Sequence, residues 1–177
     1  MNNFDFAKQR RNLPTGFTLI ETSIVIIIIG ILASISTPSL LSYYQKVQLN
    51  DALIRLRGAI RETQLEAIRR NQSCSVVIRP GINQSITGNC LLTGDRTLTG
   101  MQIQHSQSDA SSPWTITFDY KGRNQNFNDK GTAVLHIPEQ SSLPPKCLVM
   151  SIGIGLHRVG EYQGTLENIV ARSCITT

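Results

Sequence analysis

The feature of this sequence that most constrains its fold is an apolar run near the N-terminus. Residues 17–41 form 25 consecutive positions with a single charge, Glu21. A helix needs about 20 predominantly apolar residues to cross the hydrocarbon core of a bilayer. An ionised acid inside such a span costs roughly 2.5–3.5 kcal/mol on insertion scales. The run therefore predicts a membrane-spanning, single-pass helix in which Glu21 needs a positively charged partner.

Residues 1–16 precede the apolar run and are predicted to be a leader peptide rather than part of the fold. They hold Lys8, Arg10 and Arg11 against one acid, Asp5, and show no apolar periodicity. A short basic segment before an apolar run is typical of a targeting signal, and its basic residues stay on the cytoplasmic side. Without it the chain keeps fourteen basic and eleven acidic residues, a balance too mild to indicate nucleic acid binding.

An amphipathic helix is predicted to follow directly, over residues 42–71. Its apolar face recurs at steps of three and four and consists of Leu49, Ala52, Leu53, Leu56, Ala59, Ile60, Thr63 and Ala67. Joined to residues 17–41, this segment makes one long helix whose second half has a face committed to a core. Gly30 and Pro38 interrupt the pattern, so we expect a helix break, as a bend or local weakness, at these two residues.

Residues 72–177 are predicted to form a C-terminal β domain. Short β-type runs alternate with turn residues, at 75–79, 101–105, 114–120, 132–137 and 148–154. The run 114–120 alternates strictly and is predicted to be a half-buried strand, with Trp114, Ile116, Phe118 and Tyr120 on its inner face. Together these patterns predict a small antiparallel β-sheet packed on the apolar face of the helix, which is an α+β fold.

All four cysteines, Cys74, Cys90, Cys147 and Cys174, follow the apolar run. No two have the C-x-x-C spacing of a zinc or redox site, and an even number in an exported domain favours two disulfides. Three pairings satisfy that number. We prefer Cys74–Cys90 with Cys147–Cys174, because each bond would close a local excursion between neighbouring strands. Four buried free thiols are the alternative.

The chemistry of the sequence is concentrated in the segment Gly16-Phe17-Thr18-Leu19-Ile20-Glu21. Gly16 offers a protease a flexible backbone without a side chain, and a cut after it would create a positively charged α-amino group on Phe17. In a helix, Glu21 lies one turn from that new terminus. The predicted partner of Glu21 is therefore the amine of Phe17, from its own chain or from a neighbouring subunit.

A short basic leader, this hexapeptide and a long apolar stretch closely resemble the type III signal of type IV prepilins and pseudopilins, over residues 10–40. The resemblance implies the type IV pilin fold and cleavage by a prepilin peptidase between Gly16 and Phe17, followed by N-methylation of Phe17. It also implies that Glu21 places each subunit by pairing with the terminus of its neighbour. Pro38 falls where that family often has a helix-breaking proline.

The C-terminal domain loosely resembles the GspH/FimT group of minor pilins and pseudopilins, in a β run near residue 75, a Cys-bounded hairpin and a late Gly-x-x-Arg. Some members of that group bind DNA through a Gly-Arg-x-Arg region. Here Gly155 and Arg158 are kept, but Leu156 stands where the first arginine would be. Arg158, Arg172 and His157 make a thin basic patch. Because DNA affinity scales with the number of phosphates neutralised, DNA binding is kept only as an alternative.

Catalysis is not predicted. His105, His136 and His157 are 31 and 21 residues apart, which is not a metal-ligand spacing. The sequence has no Gly-rich phosphate loop, no H-E-x-x-H and no G-x-S-x-G. We therefore expect no enzyme activity, no cofactor and no metal.

Together, the patterns and the resemblance predict a minor pilin or pseudopilin of a type IV pilus or a type II secretion pseudopilus. Its expected partners are other pilin subunits, prepilin peptidase and the inner membrane, with the C-terminal domain periplasmic or extracellular. Three alternatives stay open. One is a DNA-binding minor pilin of natural transformation, and another is a membrane-anchored domain outside any filament. The third is a secreted domain beginning at Thr37, released by signal peptidase after Ser34-Ile35-Ser36.

Overall fold

The computed structural model describes residues 16–107, 111–124, 126–138 and 143–176, except for the side chains of residues 35–39 and 127. The leader residues 1–15, with Lys8, Arg10 and Arg11, lie outside the described residues. The chain divides into two compact units, Met1–Leu41 and Ser42–Thr177.

The described part of the N-terminal unit contains the first part of helix α1, which runs over Leu19–Arg70. Helix is assigned through both Gly30 and Pro38, so a bend at these residues stays a prediction. The side chain of Pro38 lies outside the described part of the molecule. Within the described parts of the chain, none of the helices combines the length and the apolar character that a membrane crossing requires.

In the second unit, α1 contributes one face to the hydrophobic core. The predicted face is confirmed: Leu53 is partly buried and the other members are buried, namely Leu49, Ala52, Leu56, Ala59, Ile60, Thr63 and Ala67. Thr63 is the polar member of this face, and its hydroxyl donates a hydrogen bond of 2.8 Å to the carbonyl of Ala59. A hydroxyl bonded back to its own helix can be buried without leaving a polar group unpaired.

The strands of the second unit are short and all pairings are antiparallel. They are β1 Cys74–Ile78, β2 Gly81–Ile82, β3 Ser85–Gly88, β4 Arg96–Thr97, β5 Gln102–His105, β6 Trp114–Phe118, β7 Gly131–His136, β8 Lys146–Met150, β9 His157–Tyr162 and β10 Cys174–Ile175. Single turns of 3-10 helix cover Phe127–Asp129 and Ala171–Ser173.

These strands make two sheets where the sequence pattern predicts one. The first has four strands in the order β4-β3-β1-β6, and the second has six in the order β10-β9-β8-β7-β5-β2. Strands of both sheets share one core with the inner face of α1. The α+β class, with an N-terminal helix packed on antiparallel sheet, is confirmed.

In strand β6, the burial predicted from the alternating pattern holds up to Phe118 and fails beyond it. Trp114, Ile116 and Phe118 are buried as predicted, but Tyr120 is exposed. The strand ends at Phe118 because a tight turn follows, in which Gly122 has φ 73° and its N–H donates to the Asp119 carbonyl at 2.8 Å. The prediction for Tyr120 was therefore wrong.

The predicted strand over 148–154 also ends early, at Met150. Gly153 and Gly155 have φ 108° and 71°, a backbone region that favours glycine and that no extended strand uses. Ile154 between them, with Ile152 and Leu156 beside them, belongs to a loop over residues 151–156, whose backbone is described below.

The six-stranded sheet is covered on both faces. Ala133, Leu135, Leu148 and Met150 point into the core shared with α1. The opposite face carries Val134, Cys147, Val149, Tyr162 and Cys174, against which Leu166 and Ile169 of the C-terminal segment pack. Neighbouring residues of β8 and β9 therefore face different surroundings.

Both disulfides lie in the second unit. Cys74 is bonded to Cys90 and Cys147 to Cys174, with Cα–Cα distances of 5.7 and 5.9 Å. These are the preferred local pairings, and all four cysteines are bonded, so the free-thiol alternative was wrong. The bonds join cysteines that are 16 and 27 residues apart in the sequence. Closing a loop of that size stabilises the folded state by about 3 kcal/mol, because it restricts the unfolded chain.

Candidate functional site

Helix α1 begins within the segment that the sequence singles out. Gly16, Phe17 and Thr18 precede the first helical residue. The Thr18 hydroxyl accepts a hydrogen bond of 3.2 Å from the Glu21 N–H, and the Thr18 carbonyl accepts one of 3.1 Å from the Thr22 N–H. Thr18 is therefore the N-cap, and its hydroxyl satisfies one of the N–H groups that a helix start leaves unpaired.

This cap was not predicted, although its signal is in the sequence. Thr18 and Glu21 have the Ser/Thr-x-x-Glu spacing of a capping box. Glu21 thus has a local reason to lie at this position, in addition to the pairing expected for it. Its charge lies in the first turn, where the helix dipole favours an acid by about 0.3–1 kcal/mol.

The Glu21 side chain is exposed and, among the described residues, has no cation within ion-pair distance.

The surface around Glu21 is apolar. Phe17 is 81% exposed, and the large apolar residues that follow it are exposed as well, namely Leu19, Ile20, Ile24, Val25, Ile26, Ile27, Ile28, Ile29, Ile31 and Leu32. Consecutive helical residues are turned by about 100°, so this run covers every side of the helix. A helix that is apolar all round is normally covered by lipid or by other helices.

Gly16 has free space around it among the described residues. A Cβ placed on Gly16 would meet none of their atoms within 4 Å, apart from those of its chain neighbours.

The basic residues considered for DNA are not brought into one patch. In β9, His157 pairs with Met150 and faces the core side, whereas Arg158 pairs with Val149 and faces the opposite side. The Arg158 guanidinium donates a 2.6 Å hydrogen bond to the carbonyl of Ala171, next to Arg172 in the chain. The Arg158 side chain thus reaches the 3-10 turn that contains Arg172, and His157 faces the other side of β9.

The three histidines also lie in different environments and do not form a cluster among the described residues. His105 is buried and bonds through Nε2 to the carbonyl of Ser112 at 2.8 Å. His136 lies opposite Gln102 at the other face of the sheet, where burial lowers its pKa. Among the described residues, no group of His, Cys, Asp or Glu side chains could hold a metal ion.

Comparison with known proteins agrees with the N-terminal geometry. Residues 12–37 match the family described as the prokaryotic N-terminal methylation motif. The chain is 36% identical over 83 residues to a fimbrial protein of Moraxella nonliquefaciens, which is 47% of this chain and 51% of that protein. The chain therefore spans about half the length of that curated relative. No solved structure gives a significant match.

An N-terminal helix packed on antiparallel sheet, with a match to this methylation motif at the start of the helix, is consistent with the type IV pilin fold. The chain is therefore similar to type IV pilin-like proteins at its N-terminus and to a fimbrial protein over part of its length.

Proposed function

We propose that this chain is a filament subunit, a minor pilin or pseudopilin of a type IV pilus or a type II secretion pseudopilus. It is cleaved by prepilin peptidase between Gly16 and Phe17 and assembles with other subunits through the N-terminal part of α1. The observation that carries this proposal is the exposed Glu21 carboxylate, one turn into an exposed apolar helix and without a cation among the described residues.

Cleavage supplies the missing charge. It leaves an α-amino group on Phe17, directly before the N-cap Thr18, and such an amine is largely protonated at neutral pH. N-methylation, which the matched motif supports, keeps that positive charge. In an apolar interior an amine and a carboxylate attract more strongly than in water. Glu21 of one subunit would thereby select the register at which it meets the Phe17 amine of its neighbour.

The apolar run serves in two places. Before assembly we propose that residues 17–41 are held in the inner membrane, with the C-terminal domain outside the cytoplasm. In the filament the same side chains pack against those of other subunits. Both environments are apolar, so the transfer does not expose the run to water.

The N-terminus of the mature protein tests the processing step. We expect N-terminal sequencing and intact mass to give a chain that begins with N-methylated Phe17. Gly16→Leu should retain the leader, seen as a larger species on a gel, because a side chain now occupies the position that the peptidase must grip. Gly30→Leu is the matched control, since Gly30 is equally open. A mature chain that begins at Thr37 would refute the proposal.

Incorporation into filaments tests the role of Glu21. We expect Glu21→Ala to be processed and inserted normally and to be depleted in sheared filaments by about tenfold or more, since the ion pair that sets the register is lost. Glu167→Ala removes an exposed acid of the C-terminal segment and should be incorporated normally. Equal amounts of the Glu21→Ala and unmodified chains in filaments would contradict the assigned role.

A further inference from the structure

The loop between β8 and β9, residues 151–156, has a fixed backbone. The Ser151 N–H donates to the Leu156 carbonyl at 3.0 Å, and Gly153 and Asn124 exchange two backbone hydrogen bonds of 2.8 and 3.0 Å. The buried side chain of Asn124 also donates to the Ser151 carbonyl at 2.9 Å. The loop is therefore closed on itself and fastened to the neighbouring turn.

A side chain of helix α1 also forms hydrogen bonds with this loop. The Gln64 side-chain amide donates to the Ile154 carbonyl at 3.0 Å and to the Gly122 carbonyl at 2.8 Å. At Gly155, a Cβ would come within 2.5 Å of the Gln64 Nε2 and 2.9 Å of the Phe118 ring, so the backbone lies directly on these two side chains. One amide thus positions two loops on the helix.

This well-held loop directs apolar side chains into solvent. Ile154 and Leu156 are 65% and 63% exposed. The backbone bonds do not depend on burying them, so these side chains contribute little to the core of their own chain. Apolar side chains displayed on a pre-organised backbone reduce the entropy lost on binding and are typical of an interaction surface.

Two unpaired arginines lie beside this loop. Arg57 Nε donates a 3.2 Å hydrogen bond to Nε2 of His157, the residue after Leu156, and Arg61 follows one helical turn later. Among the described residues neither has a carboxylate partner, whereas the other arginines of this part of α1, Arg55, Arg69 and Arg70, are paired with acids. Like charges four residues apart destabilise a helix slightly, so a ligand that supplies negative charge would be favoured here.

His157 does not add a charge to this pair of arginines at neutral pH. Burial lowers the pKa of His157, and the charges of Arg57 and Arg61 lower it further, against a hydrogen bond that the ring donates to the Gly155 carbonyl, which raises it. The neutral ring accepts the Arg57 hydrogen bond through Nε2, which holds the guanidinium next to the loop.

We propose that Arg57, Arg61, Ile154 and Leu156 form a docking surface, here called the arginine–loop surface, for an acidic segment of a neighbouring subunit. The segment places an apolar side chain against Ile154 and Leu156 and a carboxylate between the guanidinium groups. This proposal rests on the proposed filament function and adds a contact made by the second unit.

The composition of the surface favours protein over nucleic acid. Arginine and apolar side chains are enriched in the centres of protein interfaces, whereas duplex DNA needs many cations along its backbone. Arg158 does not extend the surface, because it faces the opposite side of β9 and is bonded to the Ala171 carbonyl.

Site-specific photo-crosslinking in the full chain tests the proposal. A benzophenone amino acid replaces Leu156 in cells that assemble the filament, and the same replacement at Leu92, which is similarly exposed, is the control. We expect Leu156 to crosslink to a subunit at a peptide containing Asp or Glu, and Leu92 not to. The Arg57→Glu/Arg61→Glu chain should lose about tenfold or more of this product. Lysines in place of the carboxylates of the crosslinked peptide should restore it.

Several outcomes would overturn the proposal: no protein crosslink at Leu156, equal crosslinking at Leu92, or a product unchanged by charge reversal. A gel shift of short duplex DNA that Arg57→Gln/Arg61→Gln abolishes, without a protein crosslink, would assign the surface to nucleic acid instead.

Filament content is measured in parallel. An unmodified chain absent from filaments refutes the proposed function and this surface together, whereas normal incorporation without the crosslink refutes the surface alone. Thermal unfolding of each variant checks that it folds.

Discussion

Asp129 lies in surroundings that disfavour the charged form of its carboxyl group. It is buried, and burial raises its pKa above the ordinary value of 3.8, against hydrogen bonds with the backbone of Thr117 and Asn126 that lower it. Its Oδ2 is buried and has no hydrogen-bond partner among the residues that the structure describes. The folded chain therefore keeps the proton in a range where the unfolded chain has released it, so this group makes stability fall as pH rises through that range.

Asp129→Asn should remove this pH dependence. The amide keeps an oxygen that can accept the backbone hydrogen bond but carries no charge, so we expect the free energy of unfolding to be unchanged or higher at neutral pH. Its slope with pH just above 3.8 should become less negative. Chemical denaturation across that range measures both. Asp95→Asn, at an exposed aspartate, is the control, and a chain clearly destabilised at neutral pH by Asp129→Asn would contradict the account.

The N-terminal motif could be singled out from individual residues. Glu21 stands out because an acid in an apolar run is costly, and Gly16 and Phe17 because a cut between them would supply a positive charge. Neither argument needs a tertiary contact. The N-cap role of Thr18 was also present in the spacing and was overlooked. Glu66 is buried and paired with Arg69 and Arg70. It was not included in the predicted buried face, because that face was identified from the periodicity of apolar residues.

At the scale of elements, the segment after β3 is fastened to helix α1 by Glu62. Its carboxylate accepts hydrogen bonds from the N–H groups of Leu92 at 2.6 Å and Thr93 at 3.1 Å and pairs with the guanidinium of Arg96. Arg96 in turn donates to the carbonyl of Arg55 at 3.0 Å. The Glu62 and Arg96 side chains are 16% and 19% exposed, so this ion pair is well shielded from solvent.

These contacts fix the direction of the pH effect. Burial raises the pKa of Glu62, but the hydrogen bonds from Thr93 and Leu92 and the charge of Arg96 together outweigh it, and the pKa lies below the ordinary 4.5. The stabilisation is therefore present above the pKa of the unfolded chain and is lost as pH falls through the folded value. Glu62 and Asp129 change stability with pH in opposite directions.

Glu62→Gln should loosen the segment and lower the free energy of unfolding at neutral pH by about 1–3 kcal/mol, the cost of leaving shielded polar partners unsatisfied. The difference from the unmodified chain should shrink in acid, and the Leu92 and Thr93 amides should exchange faster with solvent. Asp51→Asn breaks the exposed Asp51–Arg55 pair and should cost at most about 0.5 kcal/mol. Equal effects of the two substitutions would argue against a shielded tether.

Strand β9 shows why some elements escaped prediction. Its sequence, His-Arg-Val-Gly-Glu-Tyr, has no apolar alternation, because its polar residues are satisfied by distant parts of the chain. Glu161 pairs with Lys146 at 2.8 Å, and the Tyr162 hydroxyl accepts from the Val170 N–H at 3.1 Å. Such partners become visible only after folding.

At the scale of the whole molecule, the α+β class followed from two periodicities, of helix and of strand, that are local. The division into two sheets did not, because it depends on which strands pair. β1 lies between β3 and the later strand β6, and β2 pairs with β5 rather than with its neighbours in sequence. Pairings between distant residues leave no local pattern. Arg57 and Arg61 were not predicted as a site for the same reason. That they have no carboxylate partner among the described residues is visible only when the acids have been placed.

The two disulfides have a consequence for the timing of folding. Every cysteine lies beyond residue 73, in the second unit. Neither bond persists in a reducing cytoplasm, so a newly made chain there lacks two of its covalent constraints. The unit gains them only under oxidising conditions. Oxidation therefore separates a second unit with two covalent cross-links from one with none.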